Sequence, residues 1–327
     1  MGMLVKGLWQ DVAYDTKQGE FVRNDSVFRD WVTADGASGF RAEMGRYHLY
    51  VSLACPWAHR TLIVHALKGL ESAISVSIVD PYMGPGGWRF SERRGCTADS
   101  VNGLAFLRDV YARAKPDYTG RVTVPVLWDR NTGTIVNNES SEIMRMLNSE
   151  FDAFALRQLH DLYPQALRAQ IERWNTIVYH TVNNGVYRAG FATAQDKYEL
   201  ATRELFAALD VLDGHLGKNR YLCGSVVTEA DWRLFTTLVR FDAVYYGHFK
   251  CNLKRLVDYH ELWAYTRELY QIPGVAETVD LEQIKEHYYR SHPGINPGGL
   301  VPVGPTLDFT APHGREGLRL EQAREPG

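Results

Sequence analysis

Apolar positions along the chain change their spacing several times, and these changes predict its elements. Residues 47–53 form a short apolar run rich in β-branched and aromatic side chains, which predicts a buried strand. Residues 74–79 alternate between apolar and polar and predict a second strand. Between the strands, apolar residues recur at the spacing of a helix that packs on a sheet, at Leu62, Ile63, Ala66 and Leu67. The sequence therefore predicts a β-α-β unit.

The stretch that follows has a less regular pattern. Residues 80–116 are polar and glycine-containing without a clear period, and a gap of that length between elements is usually functional or mobile. Residues 122–128 predict a strand, although Pro125 cannot donate to a ladder and so marks an edge position or a break. Residues 134–136 predict a short fourth strand and residues 140–147 a helix, which completes an α/β domain.

From about residue 160 onward the apolar spacing is helical throughout. One series steps by three or four residues across 163–182, and a second does so across 201–216. Thr228 begins a capping-box-like sequence for a helix that we predict to run through residue 241, and residues 253–270 predict a further helical stretch. The second half is therefore predicted to be all-helical.

The two ends of the chain differ from its body. Residues 1–44 carry many aromatic side chains, Tyr14 among them, which argues against disorder and predicts an arm packed on the body. The last stretch is rich in proline and glycine and predicts an extended tail. We therefore predict an N-terminal arm (1–44), an α/β domain (45–155), an all-helical domain (156–290) and a tail (291–327).

Composition narrows the class of protein. The 327 residues are 45% hydrophobic and 23% charged, as in ordinary globular proteins, and the formal charge of -3 gives no general attraction to nucleic acid or anionic membranes. No apolar run approaches the length of a membrane span. The four cysteines are widely spaced, without metal-type pairing or a disulfide framework, at Cys55, Cys96, Cys223 and Cys251. We therefore expect a cytoplasmic protein without a metal site.

Cys55 is the strongest candidate for chemistry. Pro56 suits the first turn of the predicted helix, which makes Cys55 its N-cap. Unpaired backbone N–H groups and the positive end of the helix dipole stabilise a thiolate there, and such placements lower a cysteine pKa from about 8.5 to roughly 3.5–7.5. The alternative is a small buried cysteine that only fills space.

The residues near Cys55 limit what its thiol can do. Position 58 is Ala58, so the Cys-x-x-Cys pair of a dithiol oxidoreductase is absent and Cys55 has no local resolving partner. If Cys55 attacks a sulfur, only an outside thiol can clear the mixed disulfide. In a reducing cytosol the most abundant such thiol is glutathione.

Two further positions are candidates for ligand binding. Trp88 lies in a glycine-rich loop, where an indole either stacks on a ligand or anchors the loop. Glu139 and Ser140 begin a predicted helix, where amide groups and a carboxylate can bind the α-carboxylate and the α-amine of a ligand. The alternative for this pair is an ordinary helix cap.

Taken together, these elements and motifs resemble a known family. The β-α-β unit with a helix-capping cysteine, the Val124-Pro125 dipeptide and the all-helical second half resemble the glutathione transferases. The segments CPWAHR, GGWRF, VPVLWD, GVYRAGFATAQ and HYYRSHPGINP are similar to those of the glutathionyl-hydroquinone reductases, also called Xi-class glutathione transferases. The resemblance covers about the whole chain and implies a thioredoxin-like N-terminal domain followed by an all-α C-terminal domain, the glutathione transferase fold.

The resemblance also implies a set of site residues. It makes Cys55 the nucleophile, with Tyr187, Tyr245 and Tyr288 facing the thiol. The implied glutathione-binding residues are Trp88, Val122, Thr123, Val124, Pro125, Glu139 and Ser140. In the family the Val-Pro peptide is cis, which lets Val124 pair with the tripeptide like one more strand. Glutathione is then a co-substrate, with no bound cofactor or metal, and the chain is expected to form a homodimer.

The implied activity is the removal of glutathione from S-glutathionyl-hydroquinones. The nearest rival is an omega-like thioltransferase or dehydroascorbate reductase, which would share Cys55. A serine or tyrosine transferase, which conjugates glutathione to electrophiles, is disfavoured because a thiol at the cap would form a disulfide with glutathione. A non-catalytic assembly module of the same fold is also open, although the intact set of site residues exceeds what a scaffold needs.

Overall fold

A computed structural model of the chain describes residues 2–12, 16–22 and 25–318. Tyr14 of the predicted arm and residues 319–327 of the predicted tail lie outside this description. The described residues form two compact units. The first unit contains the described residues of the ranges 1–17, 21–160 and 277–303. The second unit contains the described residues of the ranges 18–20, 161–276 and 304–327.

The strands, numbered along the chain, are short. They are β1 (Met3–Val5), β2 (Leu8–Gln10), β3 (Thr16–Lys17), β4 (Glu20–Phe21), β5 (Val32–Thr33), β6 (Phe40–Arg41), β7 (Tyr47–Val51), β8 (Ile74–Ile78), β9 (Gly120–Arg121), β10 (Val126–Asp129) and β11 (Thr134–Asn137). The α-helices are α1 (Pro56–Lys68), α2 (Leu107–Ala114), α3 (Ser140–Ser149), α4 (Arg168–Ile177), α5 (Gly185–Gly190), α6 (Gln195–Leu216), α7 (Glu229–Leu238), α8 (His260–Tyr270) and α9 (Leu281–Ser291).

A four-stranded mixed sheet forms the centre of the first unit. Its order is β11-β10-β7-β8, with β7 parallel to β8 and β10 antiparallel to both of its neighbours. Every residue of β7 is buried, because α1 and the flanking strands cover it, which explains its continuous apolar sequence. The predicted β-α-β unit of β7, α1 and β8 is confirmed.

Two predictions in this unit were wrong. The strand predicted over residues 122–128 begins only at Val126, since Pro125 has no N–H to give to the ladder and pairing with Tyr50 of β7 starts one residue later. The patternless stretch 80–116 contains helix α2, which buries Leu107, Val110 and Tyr111 on one side. Their i, i+3, i+4 spacing was the signal, and it was missed because the helix is short.

The second unit is helical, as predicted, but its helices are interrupted. The helix predicted across 163–182 consists of a 3₁₀ turn at Gln165–Leu167, then α4, then a π-helical turn at Val178–Asn183. Helix α7 has the predicted capping box at Thr228, with Asp231, but it ends at Leu238, before a second π-helical turn. The stretch 253–270 divides into a 3₁₀ turn (Leu256–Asp258) and α8.

Residues 277–303 belong to the first unit, whereas the sequence prediction had divided them at residue 290 between the helical domain and the tail. Helix α9 joins the first unit through specific contacts. The imidazole of His287 hydrogen-bonds the carbonyl of Pro81 (2.8 Å), and the hydroxyl of Ser291 accepts from the amide of Met83 (3.0 Å). Helix α9 ends at Ser291, so the predicted boundary falls one residue before the end of the helix.

The described part of the tail that belongs to the second unit is anchored by one buried cation. Arg315 is 1% exposed, and its guanidinium donates to the carboxylates of Glu261 (2.9 Å) and Glu268 (3.1 Å). It also donates to the carbonyls of three residues after or at the end of α6, namely Leu216, Asn219 and Arg220. Because these partners satisfy its donors, the burial of the charge is compensated. None of the helices in the described ranges has the length and apolar character needed to span a bilayer.

Candidate active site

Cys55 lies where β7 ends and α1 begins. It has extended backbone angles (φ -80°, ψ 120°) and is the N-cap of α1, with Pro56 in the first turn, as the sequence predicted. Its carbonyl already accepts the first helical hydrogen bond, from His59 N (3.0 Å). The thiol is half-buried and donates to the carbonyl of Val124, with 3.6 Å between Sγ and O. The fold thus brings Cys55 and Val124 together.

The surroundings of Cys55 differ from those of the other cysteines. Burial raises the pKa of Cys96 and of Cys251, and it raises that of Cys223 to about 11. These three thiols therefore stay protonated near neutral pH. Cys55 instead faces the start of a 13-residue helix whose first turn contains no acidic residue, so no carboxylate on that turn opposes a thiolate.

The segment before β10 is buried and fixed from one side. Val122 and Val124 are 7% and 4% exposed, and the Val124–Pro125 peptide is cis, as the resemblance implied. The hydroxyl of Tyr111 donates to the carbonyl of Thr123 (2.9 Å) and accepts from its amide (3.3 Å). Tyr111 of α2 therefore holds the extended backbone that ends beside the Cys55 thiol.

Glu139 and Ser140 stand where the sequence placed them, at the beginning of α3. Glu139 is the N-cap, and its Oε1 accepts from the amide (3.1 Å) and the hydroxyl (3.0 Å) of Ser141. Ser140 is the first helical residue and is buried. The carboxylate therefore caps α3 and lies at the positive end of its dipole, an arrangement that favours a negative side chain.

Trp88 is 6% exposed and stacks on the imidazole of His287, with 4.8 Å between ring centroids and 19° between the planes. Of the two alternatives from the sequence, anchoring of the loop is thus observed directly. Tyr288 follows on α9, is 1% exposed, and makes an edge contact with His287 at 5.2 Å.

Tyr187 and Tyr245 belong to the second unit, where they contact one another. Their ring centroids lie 6.2 Å apart, and Phe249 packs against both, at 5.5 Å from Tyr187 and 5.6 Å from Tyr245. Phe191 stacks on Tyr187 at 6.1 Å. We call these four rings the aromatic cluster. Tyr245 is fully buried, whereas Tyr187 is half-buried.

Three residues that support the site were missed by sequence reasoning: Tyr111, His287 and Ser26. Tyr111 lies on the helix that was not predicted, and His287 lies on a helix assigned to the other domain. Ser26 reaches Glu139 from the N-terminal arm. Each acts through a contact with a residue distant in sequence. Only Tyr111 had a local signal, the helical spacing of the apolar residues around it.

No cluster of three or more His, Cys, Asp or Glu side chains suited to a metal ion occurs in the part of the chain that the structure describes. The first unit instead offers a thiol at a helix N-terminus, an extended backbone segment in contact with that thiol and, at a second helix start, a carboxylate. This set suits thiol chemistry on a peptide-like ligand.

Comparison with known proteins agrees with this chemistry. Residues 54–150 match the family model "Glutathione S-transferase, N-terminal domain", and residues 195–268 match "Glutathione S-transferase, C-terminal domain". The chain is 53% identical over 325 residues to the glutathionyl-hydroquinone reductase YqjG of Escherichia coli, covering 97% of this chain and 99% of that one. It is 54% identical to the glutathionyl-hydroquinone reductase PcpF of Sphingobium chlorophenolicum, covering 93% and 96%.

Solved structures give the same picture. The chain is similar to a Xi-class glutathione transferase from Natrialba magadii, with a TM-score of 0.92, 52% identity and 98% of each chain covered. It is similar to the glutathione-bound structure of YqjG, with a TM-score of 0.89, 51% identity, and 96% and 99% covered. The predicted fold class is thereby confirmed: a thioredoxin-like N-terminal domain and a helical C-terminal domain.

Proposed function

Because the chain belongs to the Xi-class glutathione transferases, the family of the glutathionyl-hydroquinone reductases, we propose that it is itself such a reductase. It removes glutathione from S-glutathionyl-hydroquinones and uses a second glutathione as co-substrate. The observation that carries this proposal is identity of 53% and 54% to two such reductases over nearly the whole chain. Cys55 at the N-cap of α1 supplies the matching chemistry.

In the first step, the Cys55 thiolate attacks the sulfur that joins glutathione to the hydroquinone ring. A sulfur–sulfur bond forms, and the carbon–sulfur bond breaks with its electron pair left on the ring. The ring carbon takes a proton, so the hydroquinone is reduced while the two sulfurs reach the disulfide level. Tyr187 is the proposed proton donor, and the hydroxyls of Tyr245 and Tyr288 hydrogen-bond the thiolate or the substrate.

In the second step, the thiolate of another glutathione attacks the mixed disulfide. Glutathione disulfide leaves, and Cys55 returns as a thiolate. The net reaction consumes one glutathionyl-hydroquinone and one glutathione, and yields one hydroquinone and one glutathione disulfide. The electrons come from the co-substrate, so the scheme requires no resident metal or prosthetic group.

The proposed glutathione contacts lie in the first unit. Val124 pairs with the tripeptide backbone as an added strand, together with its neighbours Val122, Thr123 and Pro125. Glu139 binds the α-ammonium of glutathione, and the amide and hydroxyl at Ser140 bind its α-carboxylate. The buried Trp88 borders this site. We further propose that the protein works in the cytoplasm as a homodimer.

The decisive test is whether Cys55 carries the mixed disulfide. Reduced Cys55→Ser protein exposed to a glutathionyl-hydroquinone should show no glutathionyl adduct in its intact mass, and turnover should fall by about a thousandfold or more, as when a covalent nucleophile is removed. Cys96→Ser is the matched control: that thiol is also half-buried, but burial raises its pKa. An adduct that persists on Cys55→Ser would remove Cys55 from the role.

The omega-like alternative shares the mixed disulfide and so needs its own test. Glutathionyl-hydroquinone and dehydroascorbate are given side by side to the same preparation, and kcat/KM is compared. A reductase of the proposed kind should prefer the glutathionyl-hydroquinone. A clear preference for dehydroascorbate would reassign the chain to the thioltransferase type.

A further inference from the structure

The N-terminal arm runs along the edge of the central sheet beside β11. The amide of Asp30 donates to the carbonyl of Val136 (3.0 Å), and the amide of Asn138 donates to the carbonyl of Phe28 (3.1 Å). The side chain of Asn138 accepts from the amide of Phe28 (3.1 Å). Arg29 adds an ion pair to Glu142 of α3, with its Nε 2.7 Å from Oε2. Residues 28–30 are therefore fixed by several independent contacts.

This path brings Ser26 to the start of α3. Its hydroxyl lies 3.1 Å from Oε2 of Glu139 and 3.2 Å from the carbonyl oxygen of Asn138, so it donates at this corner. The other carboxylate oxygen of Glu139, Oε1, accepts from the amide and hydroxyl of Ser141. The two oxygens are thus held by different parts of the chain, one by the helix that Glu139 caps and the other by the arm.

We propose that Ser26 is a positioning residue for glutathione: its hydroxyl fixes the carboxylate of Glu139 in the orientation that binds the α-ammonium of the γ-glutamyl group. The proposal rests on the role given to Glu139 in the proposed function. Ser26 is not part of the direct cap of α3, because the helix amide at Ser141 donates to Oε1 and not to the oxygen that Ser26 contacts. What the hydroxyl determines is the rotation of the carboxylate about its own axis.

The test compares two ligands on three proteins. S-methylglutathione cannot form a disulfide with Cys55, and its analogue with a glutaryl group in place of γ-glutamyl lacks only the α-amine. Calorimetry should show that Ser26→Ala binds S-methylglutathione about tenfold more weakly, the scale of one hydrogen bond to a charged group, and binds the glutaryl analogue within about twofold of wild type. Ser26→Thr keeps the hydroxyl and should restore the affinity.

Kinetics supply a second readout. In Ser26→Ala the KM for glutathione should rise while kcat at saturating glutathione stays unchanged, because the hydroxyl does not touch the reacting sulfur. Ser38→Ala is the matched control, since Ser38 is an exposed arm serine whose hydroxyl bonds with Thr33 and Phe40 of the arm itself. It should leave both constants as in wild type.

The outcomes separate the two proposals. Equal weakening of both ligands in Ser26→Ala would mean a merely structural role and would overturn the inference, as would no change with either ligand. If wild type fails to reduce glutathionyl-hydroquinones but the amine-dependent loss is present, the proposed reductase activity falls while the role of Ser26 stands. If wild type reduces glutathionyl-hydroquinones but Ser26→Ala changes the affinity for both ligands equally, or for neither, only the inference about Ser26 fails.

Discussion

The two units hold their candidate functional residues by different interactions. In the first unit these residues stand at helix starts and are held by hydrogen bonds: Cys55 caps α1, and Glu139 caps α3 with its carboxylate held by Ser26 and Ser141. In the second unit the candidate tyrosines are held by ring packing, in which Phe249 lies against both Tyr187 and Tyr245. The first kind of construction orients charges, whereas the second offers flat apolar surfaces with hydroxyl edges.

This difference separates binding of the tripeptide from chemistry on the ring. Glutathione has a peptide backbone and charged ends, which match extended backbone and helix starts. A hydroquinone has an aromatic face and two hydroxyls, which match tyrosines. Apart from Cys55, the proposed nucleophile, changes at the proposed glutathione contacts of the first unit should therefore act mainly on glutathione affinity, and changes in the aromatic cluster mainly on turnover.

Among the substitutions that test this difference, Tyr187→Phe should have the largest effect, which is on kcat. If Tyr187 delivers the proton to the ring, removing its hydroxyl should lower kcat for glutathionyl-hydroquinone by about a hundredfold, within the usual contribution of general acid catalysis. The affinity for S-methylglutathione should stay unchanged. Stopped-flow measurement of mixed-disulfide formation isolates the step.

The control for this prediction is Tyr179→Phe, a half-buried tyrosine of the same unit that contacts His180. It should retain wild-type kcat. If Tyr187→Phe also retains wild-type kcat while Tyr245→Phe or Tyr288→Phe loses it, the proton donor has been assigned to the wrong tyrosine. If all three retain it, the ring takes its proton from solvent.

An intermediate effect is expected from Gly190→Ala at the end of α5. A Cβ atom there would lie 2.6 Å from Cδ2 of Phe249 and closer still to Cγ and Cδ1 of that ring. Phe249 would have to move, and with it the rings of Tyr187 and Tyr245. We expect a loss of about 3 kcal/mol in the free energy of unfolding, at the upper end for overpacking, measured by urea titration.

Gly185→Ala is the matched control on the same helix, because its Cβ would meet Leu205 only at 3.7 Å, an ordinary contact. Since alanine favours a helix over glycine, this variant should be neutral or more stable by up to about 1 kcal/mol. Equal stability of the two variants would show that the cluster can repack around an added methyl group, and the contrast between the units would weaken.

Features that depend on local sequence could be predicted, whereas contacts between residues far apart in the chain could not. The position of Cys55 at a helix start followed from local signals, an apolar run and then Pro56, and so did the cap at Glu139. The bond between Ser26 and Glu139 joins residues 113 positions apart, and no periodicity encodes such a contact. The stack of Trp88 on His287 is of the same kind, so the sequence left two alternatives for Trp88. Tyr187 and Tyr245 were singled out only through family resemblance, and their contact with one another was not predicted.

The smallest effect expected is that of Tyr111→Phe, which removes a hydroxyl that bonds two segments, one at Thr123 and one at Asn138. Tyr111 is fully buried, and burial raises the pKa of its phenol, so the hydroxyl stays protonated and donates to Thr123 O. It also accepts from the side-chain amide of Asn138, the residue before Glu139, at 3.1 Å. Removing it leaves polar groups of two segments without this partner, which should lower the free energy of unfolding by about 2 kcal/mol.

Tyr118→Phe separates this linking role from simple loss of a buried hydroxyl. The hydroxyl of Tyr118 donates to the carbonyl of Arg121 (2.9 Å), and its loss should lower stability by about 1 kcal/mol. Only Tyr111→Phe should also raise the KM for glutathione, by about threefold, because it alone bonds both Thr123 and Asn138. If Tyr118→Phe raises this KM as much, both variants act through general loosening of α2 and β9, and the two segments are held in register by their own backbone.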